Sequence, residues 1–245
     1  IVNAGVKSAY NKKARELFDQ GQYERIGELT PLNLELESEF LREVREKLDD
    51  LANRDGAKAQ ELVQAFAPYA SDLLDPLMQE HLSKANDAVQ KRITNKDAPY
   101  DPEATEQIRY AMGLTGILPQ TEGQPSFSFS QGTKEYATVL EKSIKRLQNT
   151  YKEMERHQRI RTRVPLDNQA NYEMLEAMVQ LSEKMGLPNE AGSIQDYYDT
   201  FCITTQDFRK HVTGRKLSPF AVGKLLETHR AMCCRMEGNV GAYQD

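Results

Sequence analysis

Apolar residues recur at spacings of three and four along almost the whole chain, from Val6 to Phe201. That period belongs to amphipathic helices rather than strands. Val6, Tyr10, Ala14, Leu17 and Phe18 line one face within residues 6–29, with a break expected at Gly21. Leu36, Phe40, Leu41, Val44, Leu48 and Leu51 repeat the pattern over 33–53, and Glu35, Glu37 and Glu39 suit the positive end of that helix's dipole. Asn53 to Gly56 reads as a turn. Leu62, Val63, Phe66 and Ala67 mark a helix that ends before Pro68. Another runs through Leu73, Leu74, Leu77 and Met78, where Pro76 is expected to kink it or open a new helix. Val89 and Ile93 then belong to a separate short helix. Asp101-Pro102-Glu103 is a start signal of capping Asp, Pro at the first helical position and a following acid. Its helix carries Ile108, Tyr110, Ala111 and Met112 and stops at Gly113 or Gly116.

Residues 117–133, ILPQTEGQPSFSFSQGT, interrupt the helical period with Pro, Gly and Ser. They are expected to link an acidic helical domain at 1–116 to a basic helical domain at 134–245. Phe127 and Phe129 alternate with Ser, so a short strand or a docked extended segment fits them. Leu140, Ile144, Leu147, Tyr151 and Met154 then step by four, three, four and three, the seam of a bundle helix. Pro165 ends the loop that follows. A helix over 168–185 stops at Gly186, and Ile194, Tyr197, Tyr198 and Phe201 mark one more. Tyr197-Tyr198 and Phe127/Phe129 suit packing better than base stacking.

Charge changes this picture. The chain has a formal net charge of −5, yet Leu140–Arg163 carries eight Lys/Arg against three acids, and Arg209–Arg235 seven against one, Glu227. The remainder is then net −16. Segregated positive charge is the footprint of a phosphate-backbone binder. In the first segment it runs on to Arg159, Arg161 and Arg163, which are expected to add affinity without sequence preference.

After Phe201 the pattern reads helix, turn, helix, hairpin. Thr204-Thr205-Gln206-Asp207 opens a helix that Gly214 ends, and Ser218-Pro219 opens the next. Arg215 and Lys216 precede that second start, where free N–H groups and the dipole favour phosphates. Met232, Cys234 and Met236 alternate, Glu237-Gly238-Asn239 can turn, and Val240, Ala242 and Tyr243 can return as a strand. The segments TTQDFRKHVTG, LSPFAVGKLLETH and MCCRMEGNVGAYQ together resemble the winged-helix branch of helix-turn-helix proteins. Lys210 stands where that pattern often has a small residue between its helices. The resemblance implies that Lys224 and Thr228 face a nucleic-acid groove and that Arg235 and Asn239 lie in the wing. Winged helices also serve as protein-interaction modules.

No catalytic motif stands out. His81, His157, His211 and His229 sit in no recognisable nucleophile motif, the Ser residues of the linker lack the GxSxG elbow, and neither GxGxxG nor a phosphate loop occurs. Asp49-Asp50 and Glu35/Glu39 read as helix-surface acids. Cys202, Cys233 and Cys234 with His211 and His229 lack the CxxC or HxxxH pairs that nucleate a zinc site. Buried thiols in a cytoplasmic or other reducing intracellular compartment are expected, with no metal, cofactor or membrane span. A chain opening on Ile1 rather than Met is expected to be a trimmed, processed or partial sequence. The expected fold class is all-α with a winged-helix-like unit and short hairpin over 204–243. The expected function is non-enzymatic nucleic-acid binding, with helical faces holding a protein partner or a second copy. A structural scaffold, filament or capsid subunit stands beside it.

Overall fold

The computed structural model describes residues 4–29, 35–95, 102–118, 127–157 and 164–188. Eight α-helices cover most of them: α1 (Ala4–Asp19), α2 (Tyr23–Leu29), α3 (Ser38–Arg54), α4 (Gly56–Ala65), α5 (Ala70–Thr94), α6 (Glu103–Gly116), α7 (Gln131–His157) and α8 (Val164–Met185). The expected fold class is therefore corrected to a helical fold, with no strand among the described residues. The hairpin and the helix pair before it were placed at 204–243, outside the described residues. The alternation at Phe127 and Phe129 does not make a strand either. The two rings meet edge to face at 5.2 Å, and Phe129 is buried. Side-chain docking, not a ladder of backbone hydrogen bonds, explains that spacing.

Contacts divide the chain into two units that do not follow one another in sequence. One comprises Ile1–Ser83 with Arg109–Ala137, the other Lys84–Ile108 with Thr138–Asp245. Helices α5, α6 and α7 each contribute to both. Of the expected linker, 119–126 lie outside the described residues, while Ile117 and Phe129 are buried at its ends.

In the first unit α1 packs on α2, and α2 and α3 both pack on α4. Gly21 breaks α1 from α2 with φ +68°, a left-handed turn that glycine adopts without steric cost. Tyr10, Ala14 and Leu17 are buried as the period requires, but Val6 is half exposed. A single residue, Asp55, ends α3 and starts α4: its N–H donates to Leu51 O at 2.7 Å and its carboxylate accepts from Lys58 N at 3.2 Å. The start of α3 has no side-chain cap of its own. Instead the buried Asn11 of α1 accepts from Glu37 N at 3.1 Å and donates to Glu35 O at 3.3 Å. Asn11→Ala is expected to cost about 1–3 kcal/mol, because both backbone groups lose their partner in a part-buried site. Urea denaturation checks this, and an unchanged midpoint would show that water replaces the amide. Lys7→Ala should change little, since its 2.6 Å ion pair with Glu35 is exposed.

Pro76 lies inside α5, which runs on as one helix, rather than opening a new one. Proline removes the N–H that would bond the carbonyl four residues back. That carbonyl belongs to Asp72, and Arg45 Nη2 donates to it at 2.9 Å. A side chain from α3 thus satisfies the group that Pro76 leaves open.

The second unit is built on small residues of α5 (Ala85, Ala88), on Ile108 of α6, on Leu140, Ile144 and Leu147 of α7, and on Leu175, Met178 and Leu181 of α8, all buried. Helix α8 closes at Gly186 with φ +66°, where Leu187 N bonds Ser182 O and Gly186 N bonds Glu183 O. That is the left-handed C-terminal stop expected of this glycine.

Candidate nucleic-acid interface

Helix α7 carries the one segment of concentrated positive charge that falls partly within the described residues. Its start is strongly held. Ser130 Oγ accepts from Thr133 N at 3.2 Å, a side-chain cap on the first turn. Buried Asp75 of α5 accepts from Ser130 N at 3.0 Å and from Thr133 Oγ1 at 2.6 Å. Gln79 adds a donor to Thr133 Oγ1 at 3.0 Å.

Two polar contacts set the rotation of α7 in the second unit. Ser143 Oγ lies 2.6 Å from Asn86 Oδ1 and accepts from Gln90 Nε2 at 2.9 Å. Glu141, almost wholly buried, accepts a hydrogen bond from the buried Ser182 hydroxyl of α8. With the Leu140–Ile144–Leu147 seam inward, Lys142, Lys145, Arg146 and Asn149 face solvent and Thr150 is half-buried. These five line an open depression.

The burial of Glu141 matters for electrostatics. By sequence it is one of three acids that dilute the basic run; in the fold it points into the protein. From Lys142 to Lys152 the chain then has four Lys/Arg and no acid. Several cations of the first unit are paired. Lys7 pairs with Glu35, Lys13 with Glu16, Arg15 with Glu43 and Arg54 with Asp50, at 2.6 to 3.2 Å. Among the described residues Lys145 and Arg146 form no ion pair.

None of the eight residues singled out from sequence is placed by these observations. Arg159, Arg161, Arg163, Arg215, Lys216, Lys224, Thr228 and Arg235 lie outside the described residues. Lys142, Lys145, Arg146 and Asn149 were counted within the basic run but not recognised as one face. The signal was present: the seven-residue seam that buries Leu140 and Leu147 places Lys142, Arg146 and Asn149 opposite it.

A second polar cluster, in the first unit, was also missed. Asp49 was read as a surface acid, yet its carboxylate accepts from Tyr110 Oη at 2.6 Å and lies 3.3 Å from His81 Nε2. The His81 and Tyr110 rings stack with centroids 3.8 Å apart. Three helices, α3, α5 and α6, supply one residue each, so no local spacing reveals the group. Burial, then the hydrogen bond and charge of Asp49, push the Tyr110 phenol far above its ordinary value. The unfolded chain therefore gives up this proton near pH 10 while the folded chain keeps it, and stability falls as pH rises above that value. The unfolding midpoint of Tyr110→Phe is expected to fall less steeply between pH 9 and about 11 than that of the parent chain. Parallel curves would assign the alkaline loss elsewhere.

Among the described residues no group of three or more His, Cys, Asp or Glu is placed to hold a metal ion, and no helix is long and apolar enough to cross a membrane. Comparison of the chain with protein-family models, with curated proteins and with solved structures finds no match.

Proposed function

We propose that this chain is a non-enzymatic nucleic-acid-binding protein, with the exposed face of α7 as one contact surface. The observation that supports it is a pair of neighbouring cations on α7, Lys145 and Arg146, which face solvent and form no ion pair among the described residues, in a stretch whose nearest acid along the chain is turned inward onto Ser182. A cationic face attracts phosphates over several ångströms and gains by releasing their counterions.

The basic residues that follow in sequence, Arg159, Arg161 and Arg163, extend the same surface in this reading. Arg215, Lys216, Lys224, Thr228 and Arg235 supply a second contact region nearer the C-terminus. The acidic remainder of the chain holds a protein partner or a second copy through helical faces. Adjacent Cys233 and Cys234 suit a reducing intracellular compartment.

Titration of the whole chain with a labelled random duplex and a labelled random single strand, at low and at physiological salt, tests the reading. Binding to either that weakens with salt supports it. Absence of binding to both at low salt sinks it. If sedimentation of the same samples shows salt-dependent self-association instead, the face serves assembly as a scaffold or filament subunit would.

A further inference from the structure

Resting on that reading, the make-up of the α7 face says which part of the ligand it recognises. Lys142, Lys145, Arg146, Asn149 and Thr150 line the depression. Ammonium, guanidinium, carboxamide and hydroxyl groups all donate hydrogen bonds to phosphate oxygens, and three of the five side chains also bring charge. The residues span nine positions, a rise of about 12 Å along the helix. A nucleic-acid strand places a phosphate about every 3.4 Å of axial rise, so several fall within that length. Lys142 and Arg146 stand one turn apart, as do Lys145 and Asn149, giving two short rows of donors along the axis.

The face is also anchored from its inner side. Ser143, between the cations, is held by Asn86 and Gln90, and Glu141 by Ser182. The donors therefore ride on a helix whose rotation is set from the inner side. A fixed row of donors on a helix surface suits a repeating row of acceptors more than it suits a single ion.

We propose that this face recognises a linear chain of phosphates as such, and takes inorganic polyphosphate as readily as the backbone of a nucleic acid. Base identity does not enter its recognition.

Competition against a labelled 20-nucleotide random single strand tests this with the whole chain. The competitors are unlabelled strands of several compositions, inorganic polyphosphate matched in phosphate number, and orthophosphate at the same total phosphate. The expected result is displacement by every strand and by polyphosphate within about threefold of one another, with orthophosphate at least about a hundredfold weaker, since linking the phosphates raises their effective concentration. Lys145→Gln/Arg146→Gln should weaken strand and polyphosphate by the same factor. If strands bind but polyphosphate does not compete, or if the double variant weakens strands alone, the phosphate-chain inference is overturned while nucleic-acid binding stands. If orthophosphate competes equally, the face is a site for single anions and the inference is again overturned. If no strand binds at all, both readings fall together.

Discussion

Reversing two charges, Lys145→Glu with Arg146→Glu, is expected to lower nucleic-acid affinity by about a hundredfold or more at low salt. Each cation is solvent-facing, so each contact with a phosphate is screened and contributes modestly, on the order of 1 kcal/mol. Reversal does more than remove the contact, because it sets a carboxylate against the phosphate. Two such changes reach roughly 3 kcal/mol, and each 1.4 kcal/mol is tenfold. Folding should hardly change: both residues are exposed and form no ion pair among the described residues. Fluorescence anisotropy together with a thermal melt measures both quantities. Unchanged affinity with an unchanged melt would make the face an ordinary solvated surface.

The largest expected loss of stability is in the first unit, at Phe40→Ala. Phe40 is 1% exposed, with Phe18 edge-on at 5.5 Å and Phe66 edge-on at 5.9 Å. It therefore links α1, α3 and the end of α4 through one ring. The Arg15 guanidinium lies 5.2 Å from its centroid, and Arg15 is itself held by Glu43 at 3.2 Å. Truncation removes the transfer energy of the ring, leaves a cavity among side chains from three elements, and strips Arg15 of its aromatic contact. Phenylalanine-to-alanine changes in such sites cost about 3–5 kcal/mol. That is a large part of the roughly 5–15 kcal/mol by which a domain is stable. Urea denaturation should show a clearly lowered midpoint, with Phe40→Leu intermediate. A loss below about 1 kcal/mol would mean that the neighbours collapse into the space and that the aromatic cluster is not central to the unit.

Much of the fold was legible because local rules act within a few residues. Gly21 and Gly186 both sit at positive φ where the apolar period stops. The Leu140–Ile144–Leu147 seam is buried as its spacing requires. The failures have one cause in common, partners far apart in sequence. Pro76 suggested a break because the donor to the Asp72 carbonyl, Arg45, comes from another helix. Helices α5, α6 and α7 each contribute to both units, which no local spacing reveals. Likewise Glu141 is one of three acids in the basic run by sequence, and only its contact with Ser182, forty-one positions away, places it inside. The α7 face can be read from the seam alone, but the inward turn of Glu141 cannot. Asp49, His81 and Tyr110 carry no common motif at all, and only packing brings them together.

The central claim is that Lys145 and Arg146 meet phosphates, and the salt dependence of binding tests it most directly. Each phosphate contact releases condensed counterions, so log K falls with log salt in proportion to the number of contacts, with a slope of about 0.9 per contact on duplex DNA. Measured between about 50 and 200 mM salt, the slope for Lys145→Gln/Arg146→Gln should be shallower than that of the parent chain by roughly two units. The same slope in both proteins would contradict the account, because it would mean that neither side chain displaces a counterion when nucleic acid binds.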